Sequence, residues 1–153
     1  MLYSHDSITS RSIKYNGLVR IGKAIAMERQ VGLSMLWVFL VVNFLYADIL
    51  ALFDSVYNGK ISGVQFTQAL LVSGAVLVEI PMVMIILSRV LKYKANRWIN
   101  IIAGIAYTVD TLVTQFIVPI MNGTTTSYYL FFGAIEIPTT LFIVWYAWKW
   151  AKP

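Results

Sequence analysis

Four long apolar stretches separated by short polar connectors dominate the sequence. They cover about 33–53, 66–87, 98–120 and 128–148, and each reaches the roughly 20 residues that a helix needs to cross a bilayer. Hydrocarbon offers no partner to an unpaired backbone amide, so segments of this kind are expected to be helical. Short connectors make successive helices antiparallel neighbours. The pattern therefore predicts an all-α, polytopic membrane protein, with four transmembrane helices in an antiparallel bundle over residues 31–150.

Composition supports this class, and the positions of the basic residues give the bundle an orientation. The chain is 59% hydrophobic and 12% charged, whereas soluble domains carry about a quarter charged residues. Five basic residues precede the first apolar run, two follow the fourth, and Arg89, Lys92, Lys94 and Arg97 separate the second from the third. Lys60 alone lies in the other two connectors. Because Lys and Arg accumulate on the cytoplasmic side, we expect both termini and the middle loop to be cytoplasmic.

The first 30 residues form a separate basic segment. The stretch GLVRIGKAIAMERQ is basic and weakly amphipathic, which is typical of a helix that lies along the anionic inner leaflet. The alternative is that Met27 is the start of the native protein and that residues 1–26 are an upstream tail. The segment is therefore expected to be cytoplasmic under either interpretation.

Tryptophans lie near the ends of several runs. They are Trp37, Trp98, Trp145, Trp148 and Trp150. Such positions are typical of the aromatic belts that sit at membrane interfaces, so we expect these side chains to face the lipid headgroups.

Several kinds of chemistry are excluded by the residues that the chain lacks. It has no cysteine and a single histidine, His5. Thiol redox sites, iron–sulfur clusters, zinc–thiolate sites, bis-histidine haem and a Ser–His–Asp triad are therefore unavailable within one chain. The basic residues flank apolar runs rather than forming a soluble face, which argues against nucleic-acid binding. We predict no catalytic residue, no metal site and no cofactor.

The two halves of the chain share a pattern. Glu-Ile-Pro occurs in the second and fourth runs, at 79–81 and 136–138, and the first and third runs each place a tryptophan nine residues before a tyrosine, with an aspartate shortly after. The matched sets are Trp37, Tyr46 and Asp48, and Trp98, Tyr107 and Asp110. The pattern predicts two duplicated helical hairpins related by a pseudo-two-fold axis along the membrane normal. The alternative is that independent apolar helices share common residues.

Four acidic residues lie inside the apolar runs: Asp48, Glu79, Asp110 and Glu136. A charged side chain at the bilayer centre is disfavoured by about 2.5–3.5 kcal/mol on insertion scales, and such residues usually face the bundle interior. A helical rise of about 1.5 Å per residue places all four in one slab near the midplane. Small and polar residues share the helix faces of most of them, so we expect the acids to converge on the bundle axis.

No basic residue lies inside a run to neutralise these acids. Like-charged carboxylates in an apolar site cannot all ionise. We therefore expect protonated acids that hydrogen-bond to each other or to neighbours such as Tyr46, Tyr107 and Thr140, or else a bound cation or organic amine.

Pro81 and Pro138 are predicted to add unpaired backbone carbonyls to this site. Neither can donate the usual helical hydrogen bond, so the carbonyls of Leu77 and Ala134 are freed. Freed carbonyls beside carboxylates are typical of a cation or proton site in a transporter.

Three functions fit these features. The first is binding or transport of a proton, a cation or an amine-bearing apolar ligand at the carboxylate cluster, by a protein that would be a homo-oligomer if it conducts. The second is an accessory or scaffold subunit of a membrane complex, in which the acids are structural. The third is an enzyme that acts on a lipid-like substrate. The sequence supplies neither a nucleophile nor a metal cluster for that reaction, so the balance leans against an enzyme.

Three segments resemble a family of small bacterial four-helix membrane proteins of unknown function. They are LSMLWVFLVVNFLYAD, VEIPMVMIILSRVLKYKANRWINIIAG and YYLFFGAIEIPTTLFIVWYAWKW, and the resemblance covers about 28–149. In topology the chain is also similar to the DoxX-like proteins. The resemblance implies a bacterial inner-membrane protein and carries no established activity.

Overall fold

A computed structural model describes residues 3–58 and 68–150, with side chains described for 15–58, 68–69 and 71–150. Every regular element in these ranges is helical, as predicted: α1 (Tyr3–Tyr57), α2 (Gln68–Val90), α3 (Tyr93–Thr111), a π-helical segment (Leu112–Ile117), α4 (Val118–Asn122) and α5 (Ser127–Trp148). Four stretches of helix are long and apolar enough to cross a membrane, namely Tyr15–Tyr57, Leu71–Val90, Tyr93–Asn122 and Ser127–Trp148. The third is built from α3, the π-helical segment and α4. The prediction of four helices that are long and apolar enough to span a membrane is therefore confirmed.

The helices pack as two hairpins joined along one side. α1 packs extensively against α2, and α3 packs extensively against α5, while α1 and α5 form the contact that joins the two pairs. α2 and α3 make few contacts, although only Leu91 and Lys92 separate them in sequence. The order around the bundle is therefore α2, α1, α5 and α3, with a cleft where α3 faces α2.

Basic side chains from three helices lie at one end of the bundle, called here the basic end. Arg29 of α1 donates from Nη1 to the carbonyl of Tyr146 at 3.1 Å, and its guanidinium lies 4.9 Å from the centre of that ring. Arg97 of α3 lies 5.3 Å from the ring centre of Trp148. Arg89 lies in the last turn of α2, at the same end of the bundle. The α2–α3 turn and the last turn of α5 therefore share a cationic rim.

A polar network fixes the interior next to the basic end. Trp37 donates from Nε1 to Oδ1 of Asn100 at 2.7 Å, and the hydroxyl of Ser88 donates to the same oxygen at 3.2 Å. Asn96 donates from Nδ2 to the carbonyl of Ser88 at 2.6 Å, and its own Oδ1 accepts from Asn100 at 2.6 Å. All four side chains are fully buried. Buried polar groups that satisfy one another specify a single arrangement, so this network holds α1, α2 and α3 together.

Trp37 therefore does not lie in an aromatic belt, contrary to the sequence prediction. Trp37 is 0% exposed, and Trp150, also predicted to face the headgroups, is buried at 3% exposed. Trp98, the sequence counterpart of Trp37, is 58% exposed. The matched tyrosines differ in the opposite sense, with Tyr46 59% exposed and Tyr107 6% exposed. The hairpins pair as predicted, but their matched residues occupy different surroundings. The reason is that α1 packs against α5 on the inside of the bundle, while α2 and α3 leave their facing sides partly open.

The helix α1 continues the first span without a break. Its 55 residues correspond to about 80 Å at 1.5 Å per residue, well beyond a hydrocarbon core of about 30 Å. The N-terminal basic stretch was expected to lie along the inner leaflet, which would place a sharp kink before the first span. The structure instead joins the two as one helix.

A glycine permits the close approach of α3 and α5. A Cβ atom on Gly104 would lie 2.7 Å from Cγ2 of Val144 and 3.2 Å from the carbonyl oxygen of Thr140. One turn further along, Thr108 donates from its hydroxyl to that of Thr140 at 2.8 Å. Small residues and interhelical hydroxyl bonds are typical of tightly packed membrane helices.

We predict that Gly104→Ala destabilises the protein by about 1–3 kcal/mol, because the added methyl overpacks the α3–α5 contact. The control is Gly74→Ala in α2, where a Cβ meets no atom within 4 Å. That change is expected to be neutral, or to stabilise by up to about 1 kcal/mol through helix propensity. Denaturant unfolding in mixed micelles measures both variants. Equal stability of the two would contradict the proposed close contact.

Candidate functional site

The carboxyl group of Glu136 is the centre of a buried hydrogen-bond cluster. Its Oε1 accepts from Nδ2 of Asn43 at 3.2 Å, and its Oε2 accepts from Nε2 of Gln115 at 2.6 Å. The hydroxyl of Thr111 lies 3.5 Å from the same Oε2. The glutamate is fully buried, and the other three side chains are buried as well. Four segments therefore meet at one carboxyl group: α1, α3, the π-helical segment and α5.

The π-helical segment brings Gln115 into this cluster. π-helical turns are rare and often occur at functional sites. Here Gln115 is buried while its neighbours Val113 and Ile117 are exposed. Space for the amide comes from Gly133, since a Cβ there would lie 2.6 Å from Oε1 of Gln115 and 2.5 Å from Cε2 of Phe116. That Oε1 is buried and has no hydrogen-bond partner within the described part of the chain.

A cavity of about 210 Å³ lies beside this cluster, away from the basic end. All four spans contribute to its wall, and its polar lining consists of Asp48, Tyr107, Asp110, Gln115 and Tyr129. The other described residues of the wall are apolar or small, and none of those described is a Lys or Arg. Two carboxyl groups thus share one cavity, and Gln115 connects that cavity to the buried Glu136.

Tyr107 closes the cavity on the side of α2. Its hydroxyl donates to the backbone carbonyl of Leu77, which is the carbonyl that Pro81 leaves without its helical partner. The ring packs edge-on against Trp37, with ring centres 5.9 Å apart. It also contacts Phe44 at a tilt, with ring centres 5.8 Å apart. The carbonyl of Leu77, which the sequence predicts to lack its usual helical hydrogen bond, therefore accepts one from a tyrosine hydroxyl instead.

The expectation that all four acids converge does not hold for Glu79. The face of α2 that turns inward carries Pro81, Met84 and Ser88, which are all buried. Glu79 precedes Pro81 by two residues, which is about 200° around a helix of 3.6 residues per turn. Its side chain is therefore exposed, and it lines a separate groove between α2 and α3.

The three hydroxyl residues that the sequence predicts as hydrogen-bond partners of the acids occupy different surroundings. Tyr46 is exposed and lies outside the cavity lining. Thr140 is buried, but its hydroxyl donates to the backbone carbonyl of Glu136 at 3.0 Å and accepts from Thr108 at 2.8 Å. Thr140 therefore belongs to the α3–α5 contact rather than to the carboxyl group. Tyr107 is the one of the three that lines the cavity.

The partners that sequence reasoning missed are amides inside or beside apolar runs. Asn43 and Gln115 hydrogen-bond to Glu136, while Asn96 and Asn100 belong to the network at the basic end. An uncharged amide in a spanning segment carries the same signal as an acid, because it too must find a partner away from lipid. The spacing of four between Asn96 and Asn100 puts both on one helix face.

We predict that Glu136→Ala destabilises the bundle more than Glu136→Gln. The alanine removes the acceptor of Gln115 and Thr111 and leaves Asn43 only the carbonyl of Phe132, at 3.5 Å. Each donor left unpaired costs roughly 1–3 kcal/mol. The amide keeps one acceptor and can donate to Oε1 of Gln115, so its loss should stay below about 1.5 kcal/mol. Thr139→Ala is the control, because that hydroxyl donates within its own helix to Ile135. Unfolding in mixed micelles that gave equal losses for both Glu136 variants would contradict this role.

Comparison with known proteins places the chain in a family. No curated protein and no solved structure matches it, and the expected similarity to the DoxX-like proteins gains no support. A family model described as "Family of unknown function (DUF6326)" matches residues 24–153. This agrees with the resemblance to an uncharacterised family and extends slightly beyond the residues that carried it. The chain, whose four helices are long and apolar enough to cross a membrane, belongs to the family of unknown function DUF6326.

Proposed function

We propose that this multi-pass membrane protein binds small organic ammonium ions in the cavity between its four spans. The observation that carries the proposal is that Asp48 and Asp110 line one cavity together with the rings of Phe44, Tyr107 and Tyr129. Carboxylates attract an ammonium group directly, and aromatic faces attract it through their quadrupoles. Because none of the described residues that line the cavity is basic, the cation of a ligand would balance the carboxylate charge.

The lining favours an organic cation over a metal ion. Among the described residues, no group of three or more His, Asp or Glu side chains is placed to hold a metal. The hydrocarbon side chains of Phe44, Leu77 and Val78 make up part of the same wall and offer no oxygen to replace the water of a strongly hydrated ion. Alkyl groups, in contrast, gain from contact with such a wall. A volume of about 210 Å³ suits a small amine rather than a proton alone.

Glu136 acts in this proposal as a positioning residue. Its carboxyl group accepts from Gln115 at 2.6 Å, and Gln115 also lines the cavity beside Asp110. The buried glutamate thus fixes the amide that forms part of the wall. The Glu136 carboxyl group already accepts hydrogen bonds from protein donors, whereas the two aspartates face the space in which a ligand would lie.

The orientation follows from the basic end. Arg29, Arg89 and Arg97 lie together there, and the tendency of basic residues to stay inside would put this end in the cytoplasm. We infer that both termini of the bundle are cytoplasmic, in a bacterial inner membrane, and that the cavity lies toward the opposite side. Access from that side would let the protein capture amines from outside, either for uptake or for signalling to a partner.

We predict that Asp48→Asn and Asp110→Asn each weaken binding of n-butylammonium at least tenfold. A hydrogen bond to a charged group contributes about 1.5–3 kcal/mol, and each 1.4 kcal/mol is tenfold in affinity. Asp54→Asn is the control: it lies on α1 outside the cavity lining, where its carboxylate accepts from Asn58. That variant should stay within twofold. Calorimetric titration in zwitterionic nanodiscs measures all three.

The same titration with n-butanol tests the role of charge. Binding of the alcohol as tight as that of the amine, or full amine binding in both aspartate variants, would overturn the proposal. Aspartate variants that lose stability while keeping affinity would favour structural acids in an accessory subunit. Uptake of labelled butylammonium into proteoliposomes then separates a transporter from a protein that only binds.

A further inference from the structure

A second, apolar compartment lies on the outer side of the α2–α3 cleft. It is a groove of about 450 Å³ whose wall is almost entirely hydrocarbon. α2 supplies Ile80 and Val83, and α3 supplies Ile102 and Ala106. Among the described residues that line the groove, Glu79 is the one acid and none is basic. Glu79 contributes the hydrocarbon part of its side chain to the wall, so its carboxyl group lies at the rim of the groove. Both helices are among those long and apolar enough to cross a membrane, so the open side of the groove faces the hydrocarbon of a bilayer.

Hydrogen bonds between α2 and α3 bound this groove at both ends. Toward the basic end, Ser88 bonds to Asn96 and Asn100. Toward the other end, the hydroxyl of Tyr107 bonds to the carbonyl of Leu77. Tyr107 and Leu77 also line the cavity of the proposed ammonium site. The groove and the cavity therefore adjoin the same contact between α2 and α3.

The position of Glu79 indicates what would occupy the groove. The side chain is exposed on the outer face of α2, and none of the described groove residues is basic and able to pair with it. Carboxylates inside a membrane normally face a partner or a wet cavity. An occupant that carries one positive charge and a hydrocarbon chain would complement both the acid and the apolar wall.

We propose that the groove binds a single-chain alkylamine that enters from the bilayer. Its ammonium group pairs with Glu79, next to Tyr107, and its chain extends along the groove toward Leu87. Glu79 and Leu87 are eight residues apart, about 12 Å at 1.5 Å per residue, which is comparable with an extended decyl chain. The inference rests on the proposed function in one respect: movement past Tyr107 would deliver the ammonium to Asp48 and Asp110.

Chain length separates the two sites experimentally. Butylammonium reports on the cavity, and decylammonium reports on the groove, both titrated in phosphatidylcholine nanodiscs. Ala106→Phe places a ring in the groove and should weaken decylammonium binding at least tenfold while leaving butylammonium within twofold. Ile105→Phe is the matched control, since Ile105 is exposed on the same helix and does not line the groove. It should change neither affinity.

The second part of the experiment removes the charge of Glu79. Glu79→Gln should weaken decylammonium binding about tenfold and leave butylammonium unchanged. If the native protein does not bind butylammonium but the groove variants still weaken decylammonium binding, only the cavity proposal is overturned. Decylammonium affinity unchanged by both Ala106→Phe and Glu79→Gln would overturn the groove proposal alone.

A photoreactive decylamine with a diazirine in mid-chain locates the bound molecule directly. The expected adducts lie on groove residues such as Val83, Met84 and Ile102, and Ala106→Phe should suppress them. Adducts spread over all lipid-facing helices, as with a matched decanol probe, would overturn the assignment. So would a change in oligomeric state on Ala106→Phe with amine binding intact, because the groove would then be an interface between copies of this chain.

Discussion

Burial of the Glu136 carboxyl group constrains the rest of the bundle. A carboxyl group away from water is tolerated only with hydrogen-bond partners around it, and here the partners come from Asn43, Thr111 and Gln115. Three other segments must therefore approach α5 at one level. The π-helical turn and the missing side chain at Gly133 both serve that approach, since one turns Gln115 inward and the other leaves room for its amide.

That constraint also explains why the bundle is open on one side. α5 is drawn to α1 and α3 by the carboxyl cluster, and α1 is joined to α2 and α3 by the network around Asn100. α2 has no link to α5 of comparable extent, so its contact with α3 is limited to the two hydrogen-bonded ends of the cleft. The cavity and the groove lie in the space that this uneven packing leaves.

The spans and the presence of acids inside them follow from the sequence, because hydropathy and length decide whether a helix can cross a bilayer. The surroundings of each acid do not. Glu79 and Glu136 share the tripeptide Glu-Ile-Pro, yet one is exposed and the other is fully buried. Local sequence sets the helix, but the rotation of that helix depends on which neighbour it packs against. The π-helical turn, in contrast, has a local sequence signal, because Pro119 follows it and has no amide hydrogen to donate into the preceding turn.

The surroundings of the acids also separate structure from function. A carboxyl group that serves only to join helices should have its hydrogen-bonding capacity satisfied within the protein, as Glu136 has from three donors. Asp48 and Asp110 instead line an open volume with aromatic rings, and none of the described lining residues is basic. Such an arrangement adds little to helix packing. A membrane protein that retained them for stability alone would keep a penalty without a compensating contact. Under the proposed function, a cation in the cavity would supply the contact that these two carboxyl groups otherwise lack.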